Sequence, residues 1–321
     1  MMNNDLTNVI CVPFAYKSNT KSGENIFASE NRRLLIYLKN ACVALVSAKH
    51  YNRDAYVVLA TNLTRQDIPD EIQKVFERNN IEIMNIPYDE FCFPDEYIWS
   101  LAFYKLCVLK HLCDVGFEKV LYLDTDVYVQ GNLTSVWKEI EDKILLYDIN
   151  HGLEVEDYRI LCKEVQKFKG GGSNSLITHY GGEFFASNYK NAVRFIECAK
   201  KIFDEMIQKK FQTSKGDEFI ISLAADKMRE DIKNAGAYIY RFWTGTSFRL
   251  VSSCYKYNKV LILHMPAEKE RGMLRLYSKY IAKGKVPLEK NIWKICRLEH
   301  GSFMNYIGYK WIMFLNKIRK K

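Results

Sequence analysis

The 321-residue chain has little of what would mark several common protein classes. Its nine cysteines are scattered at 11, 42, 92, 107, 113, 162, 198, 254 and 296, with no CxxC pair and no close His and Cys cluster. That argues against zinc and for reduced thiols in a cytosol. The opening MMNNDLTNVICVPF lacks the basic start and long apolar run of a signal peptide, and no window approaches the roughly 18 apolar residues of a membrane span. The expectation is a cytoplasmic chain that neither crosses a bilayer nor takes the usual export route. No internal repeat is visible, and KFKGGGSNS, residues 167–175, has glycines without the GxxxxGKS spacing of a phosphate loop. It reads as a linker or mobile lid.

What is present is a large core and an uneven charge. With 48% hydrophobic and 26% charged residues, one big domain with or without an appendage is expected. Residues 271–321 hold 13 Lys or Arg against 2 Glu, leaving 34 basic and 36 acidic groups before them. All of the net +9 therefore resides in the tail, which suits an anionic membrane surface or nucleic acid. On a helix, Phe303, Met304, Ile307, Trp311, Phe314, Leu315 and Ile318 share one stripe, with Lys310 and Lys317 beside it. Such a helix either lies in a membrane interface, with lysines snorkelling to phosphates, or packs on its own domain. Trp and Tyr among the lysines favour the membrane, and the lack of a recognition motif argues against nucleic acid. The expected division is a catalytic domain over 1–270 and a basic, aromatic membrane-associating segment over 271–321.

Along the chain, elements alternate. TNVICVPF, YVVLAT, IEIMNIP and KVLYLDTDVYV read as strands; LLIYLKNACVALVSA, residues 69–80 and IWSLAFYKLCVLKHLCDVG read as helices. This order predicts an α/β domain with a largely parallel sheet. Later, GGEFFASN reads as a strand, NAVRFIECAKKIFDEMIQ and GDEFIISLAAD as helices, and KVLILHMP as a last strand delivering His264.

The informative stretch is VLYLDTDVYV, residues 120–129, because aspartate is depleted from strands. If the segment is one continuous strand, Asp124 and Asp126 project from the same face. Two carboxylates so close repel unless a cation lies between them, and a hard divalent ion such as Mn²⁺ or Mg²⁺ fits oxygen ligands and phosphate together. The plainer alternative is a turn whose aspartates only cap backbone amides. In the helix over 98–113, Lys105 projects from the middle of the apolar stripe. Burying an ammonium there requires an anion, unless the side chain snorkels out.

VLYLDTDVYVQGNLTSVW closely resembles the motif of GT-A fold nucleotide-sugar glycosyltransferases, particularly family 8, over roughly residues 7–272. The resemblance implies a Rossmann-like, mostly parallel sheet flanked by helices, a UDP-sugar donor, Mn²⁺ (or Mg²⁺), a glycan or lipid-linked glycan acceptor, and retention of anomeric configuration. It implies metal binding by Asp124, Asp126 and His264, with Thr125 near the nucleotide and Lys105 at the donor. The family pattern HxxGxxKPW is HMPAEKERG here: Ala267 replaces the glycine, PW is absent, and Lys269 and Arg271 straddle the phosphate-gripping lysine. A lone histidine after an apolar strand is otherwise more often a core residue.

The sugar pocket departs further. FNAGVLLIN corresponds to YGGEFFASN, placing Gly181, Gly182 and Glu183 at the family's Asn, Ala and Gly. The family's Asp-Gln pair is Asp217-Glu218, which could equally be first-turn acids of a helix. The family's acidic uridine contact is missing from the first strand, leaving Tyr16 for stacking. Retention requires either departing phosphate to help deprotonate the acceptor on the same face, or a carboxylate, Glu183, Asp217 or Glu218, to form a covalent intermediate. A sugar nucleotidyltransferase and a non-catalytic glycan-binding membrane scaffold stand as alternatives. The first lacks support because VPFAYKSNTKSGEN is not a glycine-rich basic phosphate loop.

Overall fold

Strand β1 (Asn8–Phe14) is buried almost throughout and pairs in parallel on both sides, with β2 (Tyr56–Thr61) and β4 (Lys119–Leu123). A strand covered on both faces has to be apolar at successive positions, and NVICVPF is. In the computed structural model, residues 8–18, 30–94, 97, 99–149, 156–171, 176–242 and 260–298, with 307, 310, 311 and 314 of the tail, are described. Among the described residues, the main sheet has seven strands in the order β3-β2-β1-β4-β7-β6-β8, adding β3 (Glu82–Asn85), β6 (Ile144–Asp148), β7 (Tyr180–Asn188) and β8 (Ile232–Asn234). Among the described strands, β7 alone runs antiparallel to both of its neighbours, so the sheet is mixed but mostly parallel.

Alternation along the strands feeds two cores. Ile10, Val12, Leu121 and Phe184 point to the face carrying α1 (Glu30–Tyr51) and α2 (Asp70–Arg78). Val9, Cys11, Val120, Tyr122 and Phe185 point to the face carrying α3 (Tyr104–Val115), α5 (Glu156–Phe168), α6 (Tyr189–Gln208) and α7 (Asp217–Lys227). Each fully buried aliphatic or aromatic side chain contributes about 1.5–3 kcal/mol. Helix α3 opens through a 3-10 turn at Ser100–Phe103 and stops at Gly116, whose φ of 89° is the left-handed cap that glycine adopts without strain. A short helix, α4 (Thr134–Glu139), packs Val136 into the α1-side core.

The segment 119–129 is not one strand. It breaks after Leu123, and β5 (Val127–Val129) leaves the main sheet to join a three-stranded sheet, order β5-β10-β9, with β9 (Ile239–Arg241) and β10 (Ile262–His264). Asp124, Thr125 and Asp126 form the turn between two sheets, so strand alternation does not bring the carboxylates together. The turn does, at the carboxyl end of β4, where open α/β sheets bind ligands.

The segment from 271 onward also differs from the division drawn at 270. Helices α8 (Gly272–Lys279) and α9 (Glu289–Ile295) bury Met273, Leu276, Tyr277, Ile281, Ile292 and Cys296 in the α1-side core. Arg78 Nη2 donates to the Ile281 carbonyl at 3.0 Å. Burial of apolar positions three and four residues apart makes 272–298 part of the folded domain. Of the tail stripe, only Ile307, Trp311 and Phe314 lie among the described residues, and all three are exposed. Among the described residues, no helix is long and apolar enough to cross a membrane. The glycine run is described through Gly171, after α5; residues 172–175 lie outside the described residues.

Candidate active site

The aspartate turn is gripped from both sides by backbone. The Asp124 N–H donates to the Glu183 carbonyl on β7 at 3.0 Å, and the Asp126 carbonyl accepts the Met265 N–H beyond β10 at 2.9 Å. Antiparallel pairing of β10 on β5 sets His264 opposite Val127. The result is that ligand atoms of Asp124, Asp126 and His264 all lie within 4.8 Å of one another. His264 Nε2 is 3.2 Å from Asp126 Oδ2 and 3.8 Å from Asp124 Oδ2. Asp126 and His264 are buried, while Asp124 remains 23% exposed and opens the corner to a ligand. Thr125 is buried between the two aspartates.

These residues fit a divalent cation on grounds of their own. Both carboxylate oxygens of Asp126 are buried and accept no aligned hydrogen bond, although His264 and Lys269 stand at ion-pair distance. Buried acceptors of that kind normally have a partner. Among the described residues, Asp124, Asp126, Glu183, Asp217 and Glu218 face Lys105, Arg241 and Lys269 around the corner, which leaves two negative charges over when His264 is neutral, as a metal ligand has to be. Two carboxylate oxygens and an imidazole nitrogen are a donor set for Mn²⁺ or a similar ion.

Burial alone would lower the His264 pKa, but the Asp126 charge and contacts to Asp126 and Glu183 outweigh it and raise the value to about 9. Burial works the other way on Asp217, lifting it to about 6 against the pull of Lys105. Lys105, in the first turn of α3, is the centre of an anionic cage: its Nζ lies 2.8 Å from Asp124 Oδ1 and 3.3 Å from Asp217 Oδ2, and donates to the Gly182 carbonyl at 2.9 Å. The ammonium in the middle of an apolar stripe is thus met by anions rather than snorkelling to solvent.

Of the two cations flanking the expected phosphate position, Lys269 reaches Asp126 Oδ2 at 3.3 Å. Arg271 stands at the start of α8, where burial and then Arg297 lower its pKa. Tyr16 follows β1 and is pinned by Asn62, which accepts its N–H and donates to its carbonyl, both at 2.8 Å.

Glu183, a candidate nucleophile in the sequence, is buried and paired. It is fully buried, and Arg241 holds both oxygens through Nε at 2.6 Å and Nη2 at 2.5 Å, while His264 Nδ1 lies 3.2 Å from Oε1. Arg241 and His264 keep its carboxyl well below the usual range despite burial. Gly181 and Gly182 are explained by the same packing. A side chain at 181 would run into Glu183 and Arg241, and one at 182 into Asp217. Asp217 and Glu218 open α7, as first-turn acids, and also converge on the site: Glu218 accepts from Arg241 at 3.0 Å and meets His179 Nε2 at 2.9 Å.

Arg241 and His179 are the residues that the sequence did not announce. Buried Glu183 and Glu218 require cationic or hydrogen-bonding partners, but nothing local says that they come from 58 and 39 positions away.

A DxD turn at the crossing of two sheets, on a mostly parallel sheet flanked by helices, defines the GT-A fold. The chain superposes on galactosyltransferase LgtC in complex with donor and acceptor sugar analogs with a TM-score of 0.55, at 14% identity, over 90% of this chain and 99% of that one. An active-site glutamine-to-glutamate mutant of LgtC gives the same TM-score at 16% identity, over 90% and 100%. In sequence, the model of glycosyl transferase family 8 matches residues 31–161, which bears out the resemblance read from the DTD block. That span contains Lys105, Asp124 and Asp126 and ends before Glu183, Asp217, Glu218 and His264. No curated protein matches the chain.

Proposed function

We propose that this chain is a retaining glycosyltransferase that uses Mn²⁺ or Mg²⁺ to move a hexose, galactose or glucose, from a UDP-sugar to a glycan acceptor in the synthesis of a surface polysaccharide or lipopolysaccharide. The observation that carries this reading is the convergence of Asp124, Asp126 and His264 within 4.8 Å at the carboxyl end of β4, with Lys269 beside them. Asp124, Asp126 and His264 would hold the ion, which when bound neutralises negative charge on a diphosphate leaving group. Lys269 and Lys105 add preorganised positive charge on either side of that corner. Lys105 now bridges Asp124 and Asp217, and an incoming anionic donor competes for it. The family match over the DxD segment and the fold shared with LgtC support glycosyl transfer over nucleotidyl transfer.

The paired state of Glu183 favours a same-face route, in which departing phosphate takes the acceptor proton, over a covalent intermediate on that residue. Asp217 is the buried acid suited to receive donor hydroxyls, with Oδ2 lacking an aligned hydrogen bond. The acceptor is a lipid-linked glycan at the cytoplasmic face of a membrane. Ile307, Trp311 and Phe314 are 44%, 59% and 54% exposed on one helical stripe with Lys310 beside it, a pattern suited to an anionic lipid surface.

Incubating the full chain with a panel of UDP-sugars and following Mn²⁺-dependent release of UDP tests the reading. One hexose donor should be hydrolysed well above the others. Pyrophosphate release from UTP and a sugar phosphate, with no hydrolysis of any UDP-sugar, would replace it with a nucleotidyltransferase.

A further inference from the structure

Arg241 ends β9 and lies opposite His264 in the parallel register of β9 on β10. Its guanidinium donates to Glu183 through two nitrogens and to Glu218 Oε1 through one of the same two. Glu183 Oε1 in turn lies 3.2 Å from His264 Nδ1, and the far nitrogen of that ring faces Asp126. Glu218, Arg241, Glu183, His264 and Asp126 therefore form one continuous line from the N-terminus of α7 to the aspartate turn. The line is dry at its centre, with the Glu183 side chain 0% and the Arg241 side chain 14% exposed. The Arg241 backbone is fixed as well, its N–H donating to the Tyr147 hydroxyl at 3.2 Å.

We infer that Arg241 is a positioning residue: it locks the plane of the Glu183 carboxylate, through it orients His264 toward a cation on Asp124 and Asp126, and ties that orientation to Glu218. The proposal rests on reading Asp124, Asp126 and His264 as a cation site. The physical reason is the shape of the guanidinium. A planar fork donating to both oxygens of one carboxylate fixes that carboxylate's plane, which a lysine ammonium on a flexible stem does not. A carboxylate held in this plane accepts a hydrogen bond from Nδ1–H and leaves the Nε2 lone pair for a metal, and such partners of a ligating histidine control metal affinity. Glu183 could not do this unaided, because a buried carboxylate without a cation is costly. Two acids that would be liabilities singly, Glu183 and Glu218, share one arginine, with His264 and His179 completing their pairing.

The test is Mn²⁺ binding to the full chain without donor, followed by electron paramagnetic resonance of the unbound ion. Arg241→Lys keeps the charge and loses the fork. It should weaken Mn²⁺ binding about 10- to 100-fold while retaining a cooperative thermal melt. Glu218→Gln should weaken binding less, and should add nothing in the Arg241→Lys background, because both act through one link. A folded Arg241→Lys variant binding Mn²⁺ within about twofold of the parent overturns the proposal, and equal Glu218→Gln effects in both backgrounds overturn the coupling. If Arg241→Lys fails to fold, Glu183→Gln replaces it with the same expectation and the same refutation. A parent protein that binds no Mn²⁺ removes the cation site itself, and the proposal with it. That outcome is distinct from a parent that binds and variants that bind equally.

Discussion

His264 and Asp126 are held together twice. The imidazole Nε2 lies 3.2 Å from the Asp126 carboxylate, and the amide of the next residue, Met265, donates to the Asp126 carbonyl at 2.9 Å. The backbone contact sets the approach of β10 to the turn, and the side-chain contact then follows from it.

This pairing gives a pH dependence with a definite sign. In the metal-free protein the His264 pKa is raised from 6.5 to about 9, so its stabilising contribution is present below pH 6.5 and is lost as the pH rises through 9. The whole contribution is on the order of 3 kcal/mol. A metal needs the neutral imidazole, so binding at pH 7 should expel a proton and affinity should rise toward pH 9. Titration calorimetry in buffers of different ionisation enthalpy should report close to one proton released per Mn²⁺; zero protons would show that the ion does not displace it.

Asp126→Asn should abolish the site and spare the fold. The contacts that hold the turn, Asp124 N–H to Glu183 and Met265 N–H to Asp126, are backbone to backbone and survive the change. Mn²⁺ affinity should fall by more than about 100-fold, and UDP release should disappear. Circular dichroism should still show a cooperative melt. Undiminished UDP release from this variant would remove the metal assignment.

Gly182→Ala should damage the site by crowding. The added methyl would run into the Asp217 carboxylate and push it off Lys105. Overpacking of this kind costs about 1–3 kcal/mol, read as a lower midpoint in urea. KM for the donor should rise as well, and an unchanged KM and midpoint would mean that Asp217 moves aside without consequence.

Two truncations separate the tail from the domain. Removing residues 301–321 should abolish sedimentation with anionic liposomes while keeping donor hydrolysis. Removing everything after 270 should leave insoluble or unfolded protein, because α8 would no longer cover α1 with Met273, Leu276 and Tyr277, and Ile292 of α9 would be lost from the same core. Equal liposome binding after the shorter deletion would refute the anchor.

Much of the site was legible because its chemistry is locally written. DTD stands out as polar in an apolar run, Lys105 as charge in an apolar stripe, and His264 as the end of a strand. The error over the DTD segment has a physical source: Val127, Tyr128 and Val129 have the same strand preference as Val120 and Leu121, and preference does not say to which sheet a strand belongs. The 270 boundary failed similarly. Basic residues crowd the surface of α8 and α9 while their apolar faces are buried, and net charge reports only the former.

The sequence by itself determined the alternating elements, the parallel core around β1, and the candidate ligands for a cation, because backbone periodicity and residue chemistry act within a few positions. Only the tertiary structure decided that the aspartates sit in a turn between two sheets, and that Glu183 and Glu218 pair with Arg241 and His179. Those pairings span 58 and 39 residues. Long-range ion pairs depend on which elements pack together, and no local pattern along a chain encodes that.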